Sequence, residues 1–412
     1  MRLTLYTTLA MCLALVGSAS AADDLVFNLS DDLIQPTSFG SDQKSGADQK
    51  SGADQKSDCD GGCGSKGGGK GGKGGCSCYR FGPAEPYALS SGCNQYGVKI
   101  GGWTQFGYHN RNSYYDLFNQ NEDNLNLHQQ WLYAERVADG SCGWDWGFRF
   151  DIIYGIDGDN TQAFGNNPGV WDFQNGFDYG DYHWALPQAY VELARGDLSI
   201  KAGHFFTLVG YEVVPSPDNF FYSHSFTMNN SEPFTHTGAI ATYTMNDNVT
   251  LYGGWTAGWD TGFDQWGNGS SWLGGVGFAV CDNATLTYMS TYGDFGVLSA
   301  GVDDEAYSHS VVFDLSVTDR LNYVLQTDLF DANNVEAVGI NQYLLYSLND
   351  CWGVGARVEW WKNDGRSANS ATFGLNYKPH ANIVLRPEVK QEWEPGLQRD
   401  QTIFGMDAIV TY

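Results

Sequence analysis

From Cys93 to the C-terminus the chain is written in period two. Trp144, Trp146, Phe148, Phe150, Ile152 and Tyr154 alternate with Asp145, Gly147, Arg149, Asp151, Ile153 and Gly155, and Trp352, Val354, Ala356, Val358 and Trp360 alternate with Gly353, Gly355, Arg357, Glu359 and Trp361. Side chains on a strand point to opposite faces in turn, so each run predicts a two-faced strand. About sixteen such runs follow one another between Val98 and Tyr412. In the last, Phe404, Met406, Ala408, Val410 and Tyr412 share one face, opposite Ile403, Gly405, Asp407, Ile409 and Thr411.

Loop lengths then constrain the architecture. Tight turns built from turn formers stand at Asp139-Gly-Ser141, Arg195-Gly-Asp197, Asn246-Asp-Asn248, Cys281-Asp-Asn283, Thr318-Asp-Arg320, Asn349-Asp-Cys351 and Lys378-Pro-His380, each after an even-numbered strand. The connections between them are mostly longer, including 110–124, 156–183, 207–233 and 261–270. Short turns at one end and long loops at the other predict an all-β fold: an up-and-down antiparallel transmembrane β-barrel of about 16 strands, spanning residues 93–412. A Greek-key sandwich would scatter its long connections over both ends.

Composition agrees with this and narrows the function classes. Glycine is abundant at 52 residues, aromatics make up 15% and mean hydropathy is only -0.35. No stretch of about 18 apolar residues occurs beyond the N-terminus, so helical membrane spans are excluded while strands remain. Net charge is -26, which speaks against nucleic acid as a partner. Nearly all of the acidic excess lies after Arg80, so it belongs to the barrel and its loops.

The N-terminus reads as targeting sequence. Arg2, an apolar stretch to Val16 and small residues up to Ala21 predict a signal peptide over 1–21. Residues 22–92 predict a low-complexity periplasmic tether: Ser45-Gly-Ala-Asp-Gln-Lys50 repeats at Ser51–Lys56, and a Gly/Lys tract follows. Its lysines can touch anionic cell-wall polymer. A GxGxxG spacing at Gly67, Gly69 and Gly72 lacks the strand and helix a phosphate loop needs. Eight cysteines follow the signal peptide, Cys59, Cys63, Cys76, Cys78, Cys93, Cys142, Cys281 and Cys351; an even number in an exported chain predicts disulfides. Their pairing stays open. No His spacing suits a metal, and no cofactor is expected.

Three stretches carry a resemblance: Gly101-Gly-Trp-Thr-Gln-Phe-Gly107, Ala202–Thr207 continuing through Pro215–Tyr222, and Ser231-Glu-Pro-Phe-Thr-His-Thr-Gly238. They resemble outer-membrane β-barrel porins of the porin-2, OmpL-like type, over roughly Gly97–Tyr412. The resemblance implies diffusion of small solutes or ions through a bacterial outer-membrane channel, without catalytic residues. The terminal strand, with Phe404, Met406, Val410 and Tyr412, resembles the insertion signal that barrel assembly machinery reads. The barrel would stand in outer-membrane lipid, as a single copy or a homotrimer.

A barrel this wide needs narrowing. Loop 207–233 is the candidate, with Glu212, Asp218 and Glu232 facing wall bases Arg149, Arg357, Arg386 and Lys390 across a pore constriction. Together with the acidic excess this predicts a weakly cation-preferring channel. Two alternatives stand beside it: a structural or adhesive barrel anchored to the cell wall, and a carbohydrate-active enzyme using some of the carboxylates. No GxSxG or HExxH motif supports the latter.

Overall fold

A computed structural model describes residues 86–90, 96–165, 170–172, 180–264, 267–296, 306–332 and 335–412. The signal peptide, the tether apart from residues 86–90, and Cys59, Cys63, Cys76, Cys78 and Cys93 lie outside them. The described chain forms sixteen antiparallel strands in one closed barrel in which each pairs with its sequence neighbour. They run from β1 (Lys99–His109) and β2 (Asn126–Arg136) through β3 (Asp145–Gly155), β4 (His183–Arg195), β5 (Leu198–Phe206), β6 (Thr235–Asn246), β7 (Val249–Thr256) and β8 (Ser270–Cys281). The second half comprises β9 (Ala284–Asp294), β10 (Ala306–Thr318), β11 (Leu321–Ala332), β12 (Val335–Asn349), β13 (Trp352–Asn363), β14 (Arg366–His380), β15 (Ile383–Glu394) and β16 (Arg399–Thr411).

The last strand closes the ring on the first, in register from Trp103 opposite Thr411 to His109 opposite Gly405. Tyr412 completes the seam. Its N–H donates to the Gly102 carbonyl and its own carbonyl accepts from the Gly102 N–H, both at 2.9 Å. Closure leaves no sheet edge with unpaired backbone groups, the condition for strands in lipid.

The two faces are inverted relative to a water-soluble protein. Phe373 is 60% exposed on the outer surface, and Phe150, Leu251, Leu344, Phe404 and Met406 are exposed with it. Inward positions bury Gln105, Asp151, Gln326, Arg357, Glu359, Glu388, Lys390 and Asp407. Apolar outside and polar inside is the pattern that a lipid-embedded barrel requires. No described helix is long and apolar enough to cross a membrane, and these strands need none.

The tight turns hold the described cysteines. Cys142 and Cys351 are disulfide-bonded. Cys281, expected among the bridged residues, is instead an exposed free thiol whose Sγ donates to Asn283 Oδ1 across its turn at 3.1 Å.

Candidate functional site: the barrel lumen

The segment linking β5 to β6, residues 207–234, turns into the barrel. Val209 packs with Phe205, Ile240, Leu273 and Met289 on one wall. Tyr211 reaches toward another, its ring centroid 4.8 Å from that of Tyr343 and its N–H donating to Gln326 Oε1 at 3.2 Å. Val214, Met228 and Phe234 join Trp103, Trp131 and Ile153 in a third cluster. A short helix, Phe226–Ser231, forms within the loop because Ser225 caps it, accepting from the Met228 N–H at 3.1 Å. The sequence offers the loop aromatics that only a buried position suits.

Glycines in the wall make room for them. A β-carbon at Gly355 would come within 2.4 Å of the Phe220 ring, at Gly374 within 2.9 Å of Phe221, and at Gly405 within 2.8 Å of Tyr222. Gly107 meets the same Tyr222 at its hydroxyl, and Gly339 lies against Thr227. These positions face inward on β13, β14, β16, β1 and β12. Absent side chains there let the loop lie directly on the wall.

Charged wall residues then bind the loop's backbone. Glu388 accepts from the N–H groups of Tyr222 and Ser223 at 2.9 and 3.1 Å, and Glu359 from Phe226 and Thr227, both at 2.8 Å. Arg357 pairs with Glu212 at 2.6 Å and also donates to the carbonyls of Ser223 and His224. Arg386, held by Asp407, donates to the carbonyls of Ser216 and Asn219. Loop 110–125 is fixed the same way: both Asp116 oxygens lie 2.8 Å from Lys390 Nζ, and Glu392 accepts from the Tyr114 N–H and the Ser113 hydroxyl. Hydrogen bonds to charged groups contribute about 1.5–3 kcal/mol each, so the set firmly selects the inward loop position.

Burial and charge compete at the two loop acids. Burial pushes the Glu212 carboxyl up, but the Arg357 guanidinium, His224 and the Ser225 N–H together outweigh it and hold the group below its usual range. At Asp116 burial wins, raising the carboxyl to about 6 against the pull of Lys390. Among the described residues no group of three or more His, Cys, Asp or Glu is placed to hold a metal ion.

Residues 97–412 match the model of a family described as "Putative beta-barrel porin-2, OmpL-like". The chain belongs to this porin family. Its fold is similar to the outer-membrane channel DcaP of Acinetobacter baumannii, with a TM-score of 0.53 at 11% identity over 76% of this chain and 97% of that one. It is also similar to OprB of Pseudomonas putida, with a TM-score of 0.53 at 14% identity, covering 76% and 94%. A third similar structure is an anion-selective porin from Comamonas acidovorans, with a TM-score of 0.50 at 10% identity, covering 76% and 99%. No curated protein matches the chain in sequence. Membership places this porin in the bacterial outer membrane.

Within the porin, the expected constriction residues divide. Glu212 and Asp218 line one small cavity with Tyr211, Phe221 and Tyr343. Arg357 touches Glu212 directly, so these two face no open gap. Arg386 and Lys390 sit in the same clamp, while Glu232 lies farther along the loop, bonded to Gln326 on β11. Arg149 is elsewhere: it pairs with Asp151 and Glu135, each at 2.8 Å, and stacks over Tyr133. Sequence reasoning missed Asp116 and the part played by Glu359 and Glu388. The available signal was glycine at inward positions, Gly355 and Gly405, beside charged neighbours on adjoining strands.

Trp171, one of the aromatics in the loop after β3, packs on His204 and Phe263.

Proposed function

We propose that this porin is a non-enzymatic, water-filled channel for passive diffusion of small hydrophilic solutes, weakly preferring cations. One observation carries it: the inward wall is charged and polar where the outward wall is apolar, so the lumen must be hydrated or filled by polar loop. The clamped loop 207–234 narrows that lumen. Cation preference follows from the carboxylate excess of the barrel: on the wall away from the clamp Glu135 and Asp151 pair with Arg149, and Glu192 stands opposite Lys201 in the β4–β5 register. The carboxylates Glu212, Glu359, Glu388 and Glu392 are engaged with cations or backbone N–H groups, which supports the absence of acid–base chemistry there.

The proposal extends to assembly. Residues 1–21 direct export, residues 22–92 form a periplasmic tether that touches cell-wall polymer, and the terminal strand is read by barrel assembly machinery. Homotrimer formation belongs to it, and the detergent-corrected mass tests that part.

Single-channel conductance in a planar bilayer with a potassium chloride gradient tests the function. Stable steps with a cation-leaning reversal potential are expected. A heat-modifiable barrel that never conducts would refute the channel and leave the adhesive alternative.

A further inference from the structure

Most cations on the lumen wall are neutralised. Arg149 is held by Asp151 and Glu135, Arg357 by Glu212, Arg386 by Asp407, Lys390 by Asp116 and Glu392, and Arg399 by Glu394. Lys201 on β5 differs. Its ammonium lies 4.4 Å from the centroid of the Tyr190 ring and 5.9 Å from that of Phe205, with no hydrogen bond or ion pair among the described residues. Glu192 stands opposite it in the β4–β5 register but bonds the Ser199 hydroxyl.

Its surroundings are apolar on one side, and Glu192 is the acidic group nearest it on the other. Tyr190, Tyr252 and Leu208 pack against the cluster of Phe205, Ile240 and Leu273, and Lys201, Tyr190 and Tyr252 remain partly exposed. An ammonium has three donors and no acceptor, and the rings satisfy only its charge. What completes the site is an anionic acceptor attached to a body that covers aromatic surface.

Resting on the channel reading, we propose that Lys201, Tyr190 and Tyr252 form a subsite beneath the inward loop for small organic carboxylates with an apolar face. The carboxylate takes the Lys201 donors while the body lies on the tyrosines. Charged groups nearby are Glu192 on β4 and Arg149 on β3; β6 and β7 contribute Ile240, Thr242 and Tyr252, which are uncharged at neutral pH. A solute passing through a channel of overall cation preference would pause here if it carried a single negative charge.

The test is block of single-channel current by benzoate, with benzyl alcohol as the neutral control. Wild-type current should flicker with benzoate and not with benzyl alcohol. Lys201→Gln should weaken the block at least tenfold and move the reversal potential further toward cations, while Lys201→Arg keeps both near wild type. Each variant is first checked as a heat-modifiable barrel. Equal block in wild type and Lys201→Gln, or equal block by benzoate and benzyl alcohol, overturns the subsite and leaves the channel standing. A wild-type barrel that does not conduct overturns the channel instead, and calorimetric titration with benzoate then decides the subsite alone: Lys201-dependent heat supports it, no heat overturns it.

Discussion

Glu388 and Gly405 are cross-strand partners on β15 and β16, and both serve Tyr222. One accepts the Tyr222 N–H at 2.9 Å, and the other leaves the space in which the ring rests. Acceptor and seat on adjoining strands tie the inward loop to a single place on the wall.

Filling the seat should loosen the loop without dissolving the barrel. Gly405→Leu forces Tyr222 off the wall, and overpacking of this kind costs about 1–3 kcal/mol. The temperature at which the heat-modifiable band shifts should fall, and protease should cut within 207–234 in the folded barrel. An unchanged shift temperature and an intact loop would count against the glycine seats.

Removing the acceptor tests the other half. Glu388→Gln keeps the shape and loses the charge, weakening two backbone hydrogen bonds at a cost of about 1–3 kcal/mol. Larger or noisier single-channel steps are expected. Steps identical to wild type would mean that the loop is held mainly by packing.

Acid should release the same loop. Despite burial, Arg357 with His224 and the Ser225 N–H holds the Glu212 carboxyl below its usual range. A lowered folded-state value means the pair stabilises above the ordinary glutamate value of 4.5 and is lost as pH falls from there through the lowered one. Conductance should therefore rise below about pH 4.5 in wild type. Glu212→Gln should already show the looser state at neutral pH and respond less to acid.

The lipid face offers a depth test. Met406 is exposed on the outer surface of β16, and a lysine near the bilayer midplane costs about 2–4 kcal/mol. Met406→Lys should reduce the fraction of heat-modifiable barrel recovered from outer membranes more than Asp407→Asn, which acts inside. Deleting Tyr412 should lower it too, since that residue closes the seam.

Thiol chemistry distinguishes the turns. A membrane-impermeant maleimide should label Cys281 in the folded barrel without reductant, and Cys142 and Cys351 only after reduction. Labelling of Cys142 without reductant would contradict its bridged state.

Alternation and turn chemistry alone determined the sixteen strands, their up-and-down order and their inward and outward faces. Those properties are local: a strand's faces follow from its own sequence, and a short turn such as Asn246-Asp-Asn248 forces the next strand alongside. Even the inward parity of Arg357, Arg386 and Lys390 was legible. What those side chains touch was not. Glu212 meets Arg357 from 145 residues away, and Asp116 meets Lys390 from 274. Such pairings depend on barrel closure and on loop 207–234 lying against β12–β16, where Gly355, Gly374 and Gly405 admit it. Space left by an absent side chain acquires meaning only once a distant ring fills it, so tertiary structure decided that the charge ladder grips a loop.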